Sequence, residues 1–220
     1  MHPAALVALL VALDPGHSPA APGAISARGR EEVQFNLEMV ELLSRTFAQV
    51  GRDGVRTVRT RASRENASLG LRAERARAAK AALLLSIHHD SPHPDDFDAW
   101  QDGPTTRLHS AAGRGFSLHV RGDRPESVRI ARAIGAALVE AGFSPSGYHV
   151  ASFPVIDEAL GIYDRRHLGL LNSARVPAVI LECGFISHLE EEIELETPER
   201  RERMARAIVA GVTGALEKKP

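Results

Sequence analysis

The chain has 220 residues, of which 44% are hydrophobic and 25% are charged, and its formal net charge at pH 7 is −1. These are ordinary values for a globular protein, and the length fits one domain that can bury a substantial core. The near-neutral charge and an aromatic content of 5% disfavour nucleic-acid binding, which needs basic surfaces and often aromatic stacking platforms. With Cys183 as its single cysteine, the chain can form neither an intramolecular disulfide nor a thiolate-only zinc site.

The apolar N-terminal run, residues 4–13, does not have the context of an export signal. No Lys or Arg precedes it, and no small-residue cleavage site follows it. We therefore interpret this run as a core strand and see no export signal. No segment reaches the roughly 18 apolar residues that a membrane-spanning helix needs, so we expect no membrane insertion.

Apolar runs alternate along the chain with amphipathic stretches, which predicts alternating strands and helices. The predicted strands are residues 7–13, 54–59, 83–87, 115–120 and 179–182. The predicted helices run from Glu31 to a stop at Gly51, over residues 69–82 and 125–141, and from Pro198 onwards, with Thr197 as N-cap and a buried stripe of Met204, Ile208, Val212 and Leu216. Residues 91–104 read as a polar loop, and residues 144–173 show no clear pattern. This order predicts an α/β fold, a single domain over residues 1–220 with a mostly parallel twisted sheet and helices on both faces.

Three predicted strands end at a side chain that can bind a metal ion or transfer a proton. His17 follows the first strand in the pentad LDPGH, His88 follows the run 83–87, and Glu182 ends the last strand. Ligands of open α/β sheets gather outside the carboxyl ends of strands, and zinc hydrolases commonly use two His and one Glu with one position open to water. The pattern therefore predicts a metal-assisted hydrolase. The pattern does not decide whether Glu31 or Glu32 is the third ligand. The helix dipole favours a carboxylate in the first turn of a helix in any case, so either residue can be explained without a metal ion.

Several motifs occur together, in a fixed order, over residues 13–212. They are LDPGH (13–17), EVQFNL (32–37), TR (60–61), Leu69 with Arg72, LLLSIHHD (83–90) and PAVILECGFISH (177–188). In this combination the chain resembles the zinc-dependent N-acetylmuramoyl-L-alanine amidases of the amidase-3 family. The resemblance implies a six-stranded mixed sheet. It also implies one zinc ion per chain, held by His17, Glu32 and His88, because the family glutamate precedes its helix leucine, here Leu37, by five positions.

The activity that this resemblance implies is hydrolysis of peptidoglycan or muropeptides. The bond cleaved is the amide between the lactyl group of N-acetylmuramic acid and L-alanine. Zinc lowers the pKa of a bound water to about 7, and Glu182 would take that proton as general base and return it to the leaving amine. The expected protein is a monomer without an attached wall-binding module. Its substrate implies a location in the cell envelope, periplasmic or extracellular, which conflicts with the lack of a visible export signal.

Other side chains in or near these motifs could support the ligands or contact substrate. His89 and Asp90 stand where the family commonly has Ala and Asn, which affects the expected substrate preference. Adjacent residues of an extended segment face opposite sides, so His89 should not share an ion with His88; a supporting role and a solvated position stay open. Trp100 could stack on substrate or anchor a loop. Cys183 is predicted to be a small buried hydrophobic residue, and no role is assigned to the remaining histidines His109, His119, His149 and His167.

Two other functions remain open. One is a related zinc amidohydrolase that acts on another acyl-amide. The other is a catalytically silent envelope-binding protein with the same fold, although the presence of Glu182 together with both histidines argues against it.

Overall fold

The computed structural model describes residues 9–50 and 54–217. Within these ranges the strands are β1 (Leu9–Pro15), β2 (Val55–Arg59), β3 (Leu83–Asp90), β4 (Asp98–Asp102), β5 (Thr105–His109), β6 (Ser117–Val120), β7 (Val155–Asp157), β8 (Ile162–Asp164) and β9 (Ala178–Phe185). The helices are α1 (Glu32–Val50), α2 (Leu69–Ala78), α3 (Pro125–Glu140), α4 (Gly169–Ser173), α5 (Leu189–Glu196) and α6 (Pro198–Glu217). In these described ranges, no helix combines the length and the apolar character needed to cross a bilayer.

One mixed sheet organises the chain. Its order is β2-β1-β3-β9-β6-β8-β7, and β4 pairs with β5 in a separate hairpin. Most neighbours are parallel, but β6 runs antiparallel to β9 and β7 runs antiparallel to β8. The α/β class with a mostly parallel sheet is confirmed, whereas the expected count of six strands is wrong, because this sheet has seven. Strands β7 and β8 have three residues each, too few for an alternating pattern to be recognised in the sequence.

Two predicted elements need correction. The helix predicted over residues 69–82 ends at Ala78. Residues 91–104, predicted as a loop, contain β4, which turns through Gly103 (φ 59°) into β5. The hairpin escaped prediction because its strands carry mostly exposed polar side chains. Val7 and Gly51, which entered the predictions of the first strand and of the first helix's end, lie outside the described residues.

The sheet separates two apolar layers. Successive side chains of a strand point to opposite faces, so Leu83 and Leu85 pack in the larger cluster with α1, α3 and α6, whereas Leu84 packs in a smaller cluster with α2 and α4. The predicted stripe of α6 is confirmed, since none of its four members is more than 4% exposed. By the same alternation His88 lies on the Leu84 face, which is the face covered by the two shorter helices.

A buried ionic network ties the end of β1 to its neighbours. Asp14 is fully buried, and its carboxylate accepts hydrogen bonds from the Thr60 hydroxyl, from Ser86 Oγ at 2.6 Å and from Arg72 Nη1 at 3.3 Å. Arg72, on α2, is itself only 5% exposed. A buried carboxylate needs such partners to remain charged, so the position of α2 and the position of the β1 end are coupled.

We predict that Arg72→Met lowers the free energy of unfolding by about 3 kcal/mol, because it leaves the Asp14 carboxylate buried without its cation. The matched control is Arg77→Met on the same helix, which removes an exposed ion pair with Glu74 and should cost at most about 0.5 kcal/mol. Urea unfolding of both variants measures the difference. Equal losses would contradict the role given to the buried pair.

Candidate metal centre and active site

Three segments meet at the carboxyl ends of β1 and β3. His17 lies in the loop after β1, Glu32 is the first residue of α1, and His88 belongs to β3. His17 Nε2 lies 2.9 Å from Glu32 Oε2, and His88 Nδ1 lies 3.0 Å from Glu32 Oε1. One possible ligand atom of each residue lies within 4.8 Å of the other two. The structure thus brings the three expected ligands together, and it places Glu32 rather than Glu31 between the histidines.

The Glu32 carboxylate is held by further donors besides the imidazoles. Its Oε1 accepts from Asn36 Nδ2 at 3.0 Å and from the backbone N–H of His89 at 3.2 Å, and its Oε2 accepts from the backbone N–H of Ala24 at 3.1 Å. Burial raises the pKa of Glu32, but the hydrogen bonds and the electrostatic interactions with the two histidines together outweigh burial, and the net shift of the pKa is downwards. Glu32 is therefore a carboxylate at neutral pH. Two imidazoles and one carboxylate are a donor set that suits zinc.

Two glycines permit the close approach of these side chains. A Cβ added to Gly16 would lie 2.4 Å from the His88 ring, and one added to Gly23 would lie 2.3 Å from Glu32 Oε2. Gly23 has a φ of 83°, in the region that favours glycine. His17 has a φ of 63°, which is uncommon for a residue with a side chain and is typical of functional positions.

Arg61 and Asn36 hold the backbone immediately before His17, a role that the sequence analysis did not assign. Arg61 is 2% exposed and donates to the carbonyl oxygens of Pro15 at 3.0 Å and Gly16 at 3.3 Å. Asn36 Nδ2 also donates to the Gly16 oxygen, at 3.3 Å. Both residues belong to motifs that carry the family resemblance. These motifs are the sequence signal from which a role at the centre could have been predicted.

Glu182 lies on β9 directly beside His88. The two residues are in register across the parallel pair β3–β9, so their side chains project from the same face. Glu182 Oε2 is buried without a hydrogen-bond partner among the described residues. Burial raises the pKa of Glu182 well above its ordinary value, the carboxylates of Asp90 and Glu32 raise it further, and Arg165 opposes them. A carboxyl group in this environment is suited to accept and return a proton.

The following residue, Cys183, is fully buried in the larger apolar cluster. Burial raises the pKa of its thiol, which disfavours the thiolate that a nucleophile needs. The prediction of a small buried hydrophobic residue is confirmed.

His89 supports the centre from the other face of β3. It is 4% exposed, and its Nδ1 lies 2.8 Å from Asn36 Oδ1. The alternative of a solvated position is therefore wrong, and the expectation that His88 and His89 point apart agrees with their separate partners.

The remaining residues named from the sequence lie in other segments than the three candidate ligands. Trp100, on β4, donates from Nε1 to the Ala27 oxygen at 3.0 Å and so attaches the hairpin to the loop before α1. His109 is partly buried on β5, and His167 is exposed. Asp90, His119 and His149 form a group of their own beside Glu182.

Two cavities each share one lining residue that interacts with the centre. One, of about 570 Å³, is lined by Ala24 from the loop before α1, by Ser91 after β3 and by Arg107 of the hairpin. The other, of about 500 Å³, is lined by Arg165 and His167. Ala24 donates a backbone hydrogen bond to Glu32, and Arg165 interacts electrostatically with Glu182, but the candidate ligands and Glu182 themselves line neither cavity.

The class of protein that this fold and site define is the amidase-3 family. The family model for N-acetylmuramoyl-L-alanine amidases matches residues 11–214, so the chain belongs to this family of hydrolases. The resemblance drawn from the motifs is thereby confirmed.

Individual relatives agree with this assignment. The chain is 28% identical to a probable N-acetylmuramoyl-L-alanine amidase, AmiB, of Haemophilus influenzae, over 93% of this chain and 51% of that protein. It is 27% identical to the N-acetylmuramoyl-L-alanine amidase Rv3717 of Mycobacterium tuberculosis, over 97% and 89%. The crystal structure of the amidase Ami1 from Mycobacterium smegmatis superposes with a TM-score of 0.77 at 22% identity, over 98% of this chain and 100% of that one. The chain thus spans about half of the Haemophilus relative and most of the mycobacterial ones.

We predict that Gly16→Ala weakens binding of a divalent metal ion at this centre at least about tenfold, because the new Cβ would displace the His88 ring. Gly70→Ala is the control, since a Cβ there meets nothing within 4 Å. Competition with a chromogenic zinc chelator measures both affinities. An unchanged affinity in Gly16→Ala would show that His88 does not need its present position.

A second prediction concerns acid stability. Burial lowers the pKa of His89 from 6.5 to about 3, so the unfolded chain binds a proton that the folded chain does not. The titration of His89 therefore contributes a loss of stability as the pH falls below 6.5, of about 2 kcal/mol between pH 7 and pH 5. His89→Gln should lack this loss in urea unfolding with a chelator present. Parallel losses in wild type and variant would contradict the assignment.

Proposed function

We propose that this chain is a zinc-dependent peptidoglycan amidase that hydrolyses the amide between the lactyl group of N-acetylmuramic acid and L-alanine. His17, Glu32 and His88 would hold the zinc ion, and Glu182 would be the catalytic residue. The observation that carries the proposal is the convergence of three ligand atoms within 4.8 Å beside a strand that presents Glu182 in register with His88. Family membership supplies the bond that is cleaved.

Zinc held by two His and one Glu supplies Lewis acidity, which activates water and polarises a carbonyl group. The side chains supply orientation and proton transfer. Asn36 and the backbone N–H groups of Ala24 and His89 fix the Glu32 carboxylate in place, as outer partners of metal ligands commonly do. Glu182 accepts a proton from the attacking water and returns it to the departing amine of alanine, and its buried Oε2 limits competition from bulk water.

The substrate of such a reaction carries a sugar on one side of the scissile amide and a peptide on the other. Binding of such a substrate therefore requires a centre with space on more than one side. The cavities of about 570 and 500 Å³, which share Ala24 and Arg165 with the surroundings of Glu32 and Glu182, are the proposed sites for these two parts of the substrate. Because peptidoglycan lies outside the cytoplasmic membrane, we place the protein in the cell envelope.

The direct test is the release of new N-terminal alanine from purified sacculi. We expect the wild-type protein to release it, a chelator to abolish the release, and added zinc to restore it. Absence of release from a zinc-loaded protein would favour a silent envelope-binding protein, and release from another acyl-amide alone would favour the related amidohydrolase.

Substitutions separate the roles of the carboxylates. Glu182→Gln should lower the rate at least about 100-fold while zinc binding persists, because only proton transfer is removed. Glu32→Gln should lose zinc and activity together, whereas the matched control Glu31→Gln, at the neighbouring position, should keep both. Near-normal hydrolysis by Glu182→Gln would exclude its catalytic role.

A further inference from the structure

A second group of metal-binding side chains lies beside the centre described above. Asp90, His119 and His149, called here the Asp90 cluster, each offer one ligand atom within 4.8 Å of the other two. They come from the end of β3, from β6 and from the segment between α3 and β7. No motif connects them in the sequence, and the fold alone brings them together.

The hydrogen bonds among the described residues do not account for the side chain of His119. The residue is 2% exposed, and its Nε2 lies 3.1 Å from Ser117 Oγ. Its Nδ1 is buried and has no hydrogen-bond partner among the described residues. An unsatisfied buried polar atom is costly and rare, and the same imidazole offers a ring nitrogen to the group that it forms with Asp90 and His149.

A simpler explanation covers only part of the cluster. His149 Nε2 lies 2.5 Å from Asp90 Oδ2, and a His–Asp pair is stable without a metal ion. That pair gives no partner to His119, although the two imidazole rings are only 5.4 Å apart. Tyr163 packs against both rings, and Phe185 packs against the ring of His149.

The local charge also favours a cation. The carboxylates of Asp90 and Glu32 both act electrostatically on Glu182, and Arg165 opposes them. A divalent ion held by the Asp90 carboxylate would interact favourably with these acidic groups.

We propose that Asp90, His119 and His149 bind a second divalent transition-metal ion of the zinc class, next to the centre formed by His17, Glu32 and His88. Two imidazole nitrogens and one carboxylate oxygen are a donor set for such an ion, with a fourth position open. Binding would displace the hydrogen bond between His149 and Asp90, as binding at the first centre would displace the contacts of Glu32 with His17 and His88. The proposal rests on its own residues and does not require the activity proposed above.

The test is the number of zinc ions retained by the untagged full chain after chelator treatment, reloading and dialysis against a zinc buffer, measured by mass spectrometry. Wild type should retain two ions. Asp90→Asn, which keeps the size of the side chain, and His119→Phe, which keeps a buried ring, should each retain one. Glu32→Gln should also retain one, and Glu32→Gln combined with Asp90→Asn should retain none. His93→Gln, at an exposed histidine, is the control and should retain two.

The outcomes separate this proposal from the first centre. One ion in wild type and none in Glu32→Gln would overturn the second site and leave the first intact. One ion in wild type that survives Glu32→Gln and disappears in Asp90→Asn would support the Asp90 cluster and overturn the first centre instead. If the cluster variants do not fold, anomalous difference maps of wild-type crystals at the zinc edge give the same answer, since a peak absent from the Asp90 cluster would refute the proposal.

Discussion

A single buried carboxylate, that of Glu32, accepts hydrogen bonds from five groups in separate parts of the chain. The donors are two imidazoles, one side-chain amide and two backbone N–H groups, from His17, His88, Asn36, Ala24 and His89. A buried charge is tolerated only when it is paired and hydrogen-bonded, and the partners of this one come from the loops after β1 and before α1, from α1 and from the end of β3. The contacts that stabilise the carboxylate therefore also hold these segments against one another.

Another buried carboxylate fixes the loop that precedes α1. Glu192, fully buried on α5, accepts from Ser26 Oγ at 2.7 Å and from the backbone N–H of Arg28 at 2.9 Å. Its neighbour Glu191 accepts from the backbone N–H groups of Gly115 and Phe185. Buried ionic contacts of this kind add little net stability when their desolvation is counted. Here they fix the position of the loop before α1, because a loop without regular structure must bring Ala24 to Glu32.

A part of the fold or of the candidate site can be predicted from the sequence when its pattern lies within one short stretch of the chain. Strand ends are local, so apolar runs alone point to His17, His88 and Glu182 as candidates. The choice between Glu31 and Glu32 was not local, because both suit a helix start, and only the family spacing to Leu37 decided it. The hairpin of β4 and β5 was missed because its exposed polar residues resemble a loop. His119 and His149 carried no pattern, since only the fold brings them to Asp90.

The antiparallel direction of β6 explains why the candidate sites are adjacent. In β3 and β9 the carboxyl ends supply His88 and Glu182, whereas β6 brings its amino end to the same edge, so Ser117 pairs with Glu182 and His119 pairs with Ile180. His119 therefore lies on the Glu182 face, two residue pairs further from the edge, which accounts for its burial. A parallel β6 would have placed a different part of the strand there, so the mixed direction of the sheet is what adds the Asp90 cluster to the centre.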